Sequence, residues 1–156
     1  MQPKRELIRE IAIGGLLAGT VDIAAACVIN WRSPVVILHV IASGILGSAS
    51  FHGGTPSAAL GLLLQWVMSL LIAALFVIGA EWLPWLKRRW LAAGFAYGAV
   101  IFFVMNYIVV PLSAVGHTFT FTAVKFLENM IAMVLFGSII AYIARERPHM
   151  PAGALV

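Results

Sequence analysis

Charged side chains are scarce in this sequence. Ten Lys or Arg and six Asp or Glu residues make up 10% of its 156 residues, whereas a soluble domain carries about 25%. Hydrophobic residues account for 62%, and the mean hydropathy is +1.01. This composition excludes an ordinary soluble domain. It predicts an integral membrane protein with a single transmembrane domain over residues 1–156.

The sequence has one cysteine, Cys27, and lacks the common catalytic motifs. A lone cysteine excludes an intramolecular disulfide and argues against a thiolate metal cluster. No Gly-x-Ser-x-Gly, His-Glu-x-x-His or paired-cysteine motif occurs. None of the four long apolar runs contains a histidine that would ligate haem. We therefore expect neither an enzyme nor a bound cofactor.

Basic residues outnumber acidic ones, which gives a net charge of +4 and a pI near 9.7. They lie in short clusters beside the apolar runs, as signals of membrane topology do. No basic face would form outside the membrane, so we expect no nucleic-acid partner. The expected partner is the lipid bilayer.

Four apolar runs are long enough to cross the roughly 30 Å hydrocarbon core of a bilayer as helices. They cover residues 7–31, 57–83, 90–112 and 122–144. A fifth apolar stretch, about 35–49, is shorter and ends in a run that contains Gly53, Gly54 and Pro56. Its length leaves open whether it crosses.

The basic clusters favour a topology in which the stretch 35–49 does not cross the membrane. If 35–49 does not cross, the clusters at 4–9, 87–89 and 145–147 share one side, and Arg32 is the loop cation left on the other. The positive-inside rule prefers this arrangement, with both termini in the cytoplasm. The sequence therefore predicts an all-α membrane protein, a four-transmembrane-helix bundle with a short re-entrant or interfacial helix at 35–49 on its outer side.

In this topology, polar side chains from all four spans fall at a similar depth in the outer half of the bundle. These side chains are Asp22, Gln65, Asn106, Glu128 and Asn129. Asp22 shares its helix face with small residues, among them Gly15 and Gly19, which is typical of a face packed against another helix. Lys125, one turn above Glu128, can pair with it or extend to the outer interface.

Two interpretations of this polar layer stay open. Gln65 and Asn106 are typical of hydrogen bonds that hold membrane helices together. Asp22 and Glu128 are stronger candidates for a binding site, because a charged carboxylate near mid-bilayer costs at least about 2.5–3.5 kcal/mol. A structural ion pair with Lys125, or a carboxyl group that stays protonated, is the alternative for both.

Three histidines, His39, His52 and His117, lie on the outer side of the predicted bundle. With Asp22 and Glu128 they offer metal-ligating groups, although no two fall at a recognised ligand spacing. A pH-sensitive outer mouth is a second interpretation, since histidine titrates near neutrality. Loop histidines without a functional role are the third.

The segments GLLAGTVDI, GAEWLPWLKRRWLAAGFAYG, FVMNYIVVPLSAVG and IAYIARE occur in this order along the chain. In this order of features the chain resembles the YagU-like family of small bacterial inner-membrane proteins, although the segment between its first two spans is shorter. The resemblance implies a four-helix protein of the bacterial inner membrane. It implies no catalytic residue.

Two functional hypotheses follow. The first is a small carrier or channel-like protein in which Asp22 and Glu128 bind protons, cations or a small solute and Gln65 and Asn106 orient them. The second is a structural or accessory subunit whose polar layer only locks helix packing. A homodimer or a larger membrane complex is compatible with either, because four spans enclose little volume.

Overall fold

A computed structural model describes residues 4–116 and 122–145, and every regular element in these ranges is helical. A 3₁₀ turn, Gly47–His52, joins the second helix to the third, and one π-helical turn, Met105–Val109, joins the fifth to the sixth. The α-helices are α1 Lys4–Asn30, α2 Pro34–Leu46, α3 Gly54–Trp82, α4 Pro84–Arg88, α5 Trp90–Val104, α6 Val110–Leu112 and α7 Ala123–Ala144.

Five helical segments in the described ranges are long and apolar enough to cross a membrane. They are Lys4–Asn30, Pro34–His52, Gly54–Trp82, Trp90–Leu112 and Ala123–Ala144. The predicted all-α membrane fold is therefore confirmed. The second segment reaches its 19 residues only by including the 3₁₀ turn, since α2 alone has 13 and is about 20 Å long at 1.5 Å per residue.

Helix α1 runs antiparallel to both α3 and α7. Along α3, Gly15 lies against Leu70 and Asp22 against Gln65. Along α7, Gly14 lies against Ile140 and Ile143, near the end of that helix, whereas Lys125, near its start, reaches the carbonyl of Ile29. The end of α1 and the starts of α3 and α7 therefore lie together, at what we call the α2 end of the bundle.

The opposite end contains the start of α1, the end of α7 and the α4 segment between α3 and α5. We call it the basic end, because its described residues include the cations Lys4, Arg5, Arg9, Lys87, Arg88, Arg89 and Arg145.

Helix α2 contacts the other helices at the α2 end. The carbonyl of Leu38 lies against Gly61, so close that a side chain at Gly61 would overlap it. Farther along, the amide of Ala114, which follows α6, donates to the carbonyl of Gly44 over 2.9 Å. Pro34 occupies the first turn of α2, and the Ser33 hydroxyl makes no capping hydrogen bond to the described residues of that turn.

The most extensive helix contact joins α5 to α7, and glycine makes it possible. A Cβ at Gly94 would lie 2.8 Å from the Cα of Ser138, and one at Gly137 would lie 2.6 Å from the amide nitrogen of Gly98. Backbones approach this closely in membranes only where side chains are small. The buried core that adjoins this contact contains Ala73, Phe76, Val77, Phe136, Ile140 and Ala141.

The π turn has a local cause in the sequence. Pro111 has no amide hydrogen, and its ring crowds the carbonyl four residues earlier, so a regular helix cannot continue through it. The helix instead forms a wider π turn, in which the amide of Val110 donates to the carbonyl of Met105, five residues back. This turn contains Asn106.

Candidate functional site

The Asp22 carboxylate lies in the contact between α1 and α3. The side-chain nitrogen of Gln65 donates to its Oδ2 over 2.8 Å, and the same nitrogen lies 3.4 Å from the carbonyl oxygen of Gly19. Gly15 and Gly19 allow this approach, because a Cβ at Gly15 would lie 2.9 Å from the Cα of Leu70. The small face predicted around Asp22 therefore packs against α3.

The partner of Asp22 is neutral. In residues 4–116 and 122–145, no Lys, Arg or His lies within ion-pair distance of its carboxylate. A neutral amide donates a hydrogen bond but supplies no compensating charge. Asp22, which is partly buried, therefore differs from an acid held in a structural ion pair.

Glu128 has a different environment. Its Oε2 lies 3.0 Å from Nζ of Lys125, and about two fifths of each side chain is exposed. Nζ of Lys125 also donates to the carbonyl of Ile29 in the last turn of α1. The last carbonyls of a helix lack partners within it and attract cations. Lys125 therefore connects the start of α7 to the end of α1 while it neutralises Glu128.

The two asparagines of the predicted layer bond within their own helices. The side-chain nitrogen of Asn106 donates to the carbonyl of Phe102 over 2.9 Å, and that of Asn129 to the carbonyl of Lys125 over 2.8 Å. The structure thus brings Gln65 to Asp22 and Lys125 to Glu128. In the described ranges, the two acids share no hydrogen-bond partner.

The histidines predicted for the outer mouth have separate surroundings. His39 donates from Nε2 to the carbonyl of Gly54 over 2.9 Å, which connects α2 to the start of α3, and its ring meets Phe51 edge-on at 6.5 Å. His52 is exposed at the end of the 3₁₀ turn. His117 lies outside the described residues. Among those described, no three His, Cys, Asp or Glu side chains gather where they would hold a metal ion.

Two buried polar side chains lie outside the predicted polar layer, and sequence reasoning missed the burial of the first. Lys87, read as part of a topology signal, is buried and forms an ion pair with Glu81 in the last turn of α3. The indole nitrogen of Trp66 is buried and has no hydrogen-bond partner in residues 4–116 and 122–145, and its ring flanks Gly19 beside the Asp22 site. The turn at Pro84 between Glu81 and Lys87 is a signal for the ion pair, since it folds the two residues together.

The fold defines an all-α membrane protein. In comparisons with family models, curated proteins and solved structures, none matches this chain. The resemblance to the YagU-like family stays a prediction.

Proposed function

We propose that this protein is a small carrier or channel-like protein of a bacterial inner membrane, in which Asp22 binds a proton or a small cation. The observation that carries the proposal is the Asp22–Gln65 pair, an acid inside an apolar helix whose partner is a neutral amide. Ionisable groups within membrane helices mark the paths of protons and ions in many transporters.

The energetics of the two acids support this assignment. A carboxylate in the membrane is stabilised by a proton, a cation or a basic side chain. Glu128 has Lys125 for this purpose, whereas Asp22 has only the amide of Gln65 among the described residues. Asp22 is therefore the group that gains most from a proton or cation that enters from solution, and Gln65 orients its carboxylate.

We further propose four membrane spans, with α2 and its 3₁₀ turn at the periplasmic face and both termini in the cytoplasm. The antiparallel pairing of α1 with α3 supports this, because it brings the beginning and the end of the α2 segment to the same end of the bundle. The cations of the basic end would then face the cytoplasm, as the positive-inside rule favours.

Proton flux into proteoliposomes tests the function. With a pH-sensitive dye inside the vesicles, we expect the wild type to conduct and Asp22→Asn to conduct at background. Glu128→Gln is the matched control, because it removes an acid that already has a cationic partner, and it should retain most of the flux. Equal flux from wild type and Asp22→Asn, both folded, would rule out the assigned role.

Cysteine labelling tests the topology. In a Cys27→Ser background, single cysteines at Arg32 and His52 should react with a membrane-impermeant maleimide from the same side, and a cysteine at Arg88 from the other. Five spans would instead separate Arg32 from His52.

A structural or accessory subunit is the second candidate. It is favoured by the bonds of Asn106 and Asn129 within their own helices and by the bond from Lys125 to α1. These polar groups need no ligand. This candidate predicts that Asp22→Asn lowers thermal stability or assembly without changing flux, and that a stable complex copurifies.

A further inference from the structure

A second feature of the molecule lies away from Asp22, on the surface of the bundle toward the basic end. It is a groove of about 520 Å³, formed mainly by the first half of α5 and the second half of α7, with Leu17 of α1 on its wall. This volume is within the range of about 300–1,000 Å³ seen for small-molecule sites. Leu91 and Phe95 line it and are each 50% exposed.

The wall of the groove is apolar along its length. Its one serine, Ser138, donates its hydroxyl to the carbonyl of Val134 over 2.6 Å, so this hydroxyl is satisfied within α7. An apolar groove on a membrane helix bundle excludes polar solutes. It accommodates a hydrocarbon chain.

One end of the groove is formed by Trp90 and Tyr142, whose rings carry polar groups. The two rings meet edge-on with centroids 5.4 Å apart. The guanidinium of Arg145 lies 3.7 Å from the Tyr142 ring centre and 5.9 Å from that of Trp90. Within the residues that the structure describes, Arg145 forms no ion pair with a carboxylate. Its charge is therefore held in place by aromatic contacts and available to an anion.

We propose that this groove binds an anionic phospholipid, with one acyl chain against Leu17, Leu91 and Phe95 and the phosphate on Arg145. Guanidinium groups match the geometry of phosphate oxygens with paired N–H donors. Trp and Tyr side chains are enriched at the level of lipid headgroups, where Trp90 and Tyr142 would lie.

Native mass spectrometry of the full chain in detergent tests the proposal. The protein is titrated separately with phosphatidylglycerol, phosphatidylcholine and inorganic phosphate. We expect phosphatidylglycerol to bind about fivefold more tightly than phosphatidylcholine, the factor that corresponds to about 1 kcal/mol for one basic side chain at an anionic lipid. Inorganic phosphate, which lacks an acyl chain, should neither bind measurably nor compete at the same concentration.

Two kinds of variant separate the headgroup contact from the acyl contact. Arg145→Gln should reduce phosphatidylglycerol binding to the phosphatidylcholine level, whereas Arg32→Gln, which removes an exposed cation at the α2 end, should leave the preference intact. Leu17→Trp should weaken both lipids equally by filling the groove. Leu91→Trp fills it from the other side, and both leucines are about half exposed, so the bundle tolerates the larger ring.

Three results would overturn the proposal. They are equal binding of the two lipids by the wild type, an unchanged preference in Arg145→Gln, and displacement of the lipid by inorganic phosphate. A dimer that Leu17→Trp converts to a monomer, with lipid binding unchanged, would also contradict it and would assign the groove to a second copy of the chain.

Discussion

Two of the helix contacts among the described residues are each lined by at least two glycines, but only one of these two contains an acidic side chain. Between α5 and α7, Gly94, Gly98 and Gly137 bring the backbones together without a polar side-chain bond between the helices among the described residues. Between α1 and α3, Gly15 and Gly19 do the same, and the next turn of α1 carries Asp22.

Close packing has a different consequence in each of these two helix contacts. In the α5–α7 contact it supplies van der Waals attraction, which is the main force between helices in lipid. In the α1–α3 contact it also brings α3 near enough for Gln65 to reach Asp22. The first contact is a structural support, and the second is the place where that support positions a carboxylate.

The largest effect is expected from a methyl group in the α5–α7 contact. In Gly98→Ala, the new Cβ would overlap the carbonyl oxygen of Met133 and lie 2.7 Å from the Cα of Val134. Backbone cannot move aside as a side chain can, so we expect a loss of about 3 kcal/mol in unfolding free energy, the upper part of the usual range for overpacking. Equilibrium unfolding in mixed micelles measures it.

Gly79→Ala is the matched control for that measurement. Gly79 also lies inside a long helix, but nothing lies within 4 Å of a Cβ built there. Alanine favours the helix over glycine by about 1 kcal/mol in the absence of a clash, so this variant should unfold no more easily than the wild type. Equal destabilisation by both substitutions would remove the distinction.

A smaller effect is expected when the acid in the α1–α3 contact loses its partner. Gln65→Leu leaves Asp22 without its hydrogen bond, and we expect a loss of about 2 kcal/mol, the usual cost of an unsatisfied buried polar group. The double variant Asp22→Leu/Gln65→Leu should recover most of this loss, because it removes both polar groups. If the double variant is no more stable than Gln65→Leu, the cost comes from packing.

The smallest effect is expected at Gly19. A Cβ there would overlap the hydroxyl of Ser69 and lie 2.9 Å from its Cβ, so the obstacle is a side chain. We expect Gly19→Ala to lower the unfolding free energy by about 1 kcal/mol, the lower end of overpacking costs. Adding Ser69→Ala to Gly19→Ala should restore part of the lost unfolding free energy. An effect as large as that of Gly98→Ala would mean that the α1–α3 contact is as rigid as α5–α7.

Several features of the candidate site were predictable because they depend on local spacing. The small residues around Asp22 lie three, four and seven positions away, so they share its helix face. This spacing predicts that the Asp22 face of α1 packs against another helix. Lys125 and Glu128 are three residues apart, which brings them together on any helix. The α-helical character of the long apolar stretches was predictable in the same way, since lipid leaves the backbone only internal hydrogen bonds.

Other features depend on contacts that no spacing encodes. Depth along the helices placed Gln65, Asn106 and Asn129 in one layer, but only the rotation of each helix decides whether a side chain reaches a neighbour. Gln65 reaches Asp22, whereas the two asparagines bond to carbonyls one turn back. The ion pair of Lys87 with Glu81 likewise requires the turn at Pro84.

The sequence by itself determined that this protein lies in a membrane and that its backbone is helical, because apolar runs of this length are stable only as helices in lipid. It also determined which face of α1 is small enough to meet another helix. The tertiary structure alone decided which residue meets Asp22, because that choice depends on the register and rotation of α3 against α1. It decided as well that Lys125 neutralises Glu128 and leaves Asp22 with an uncharged partner.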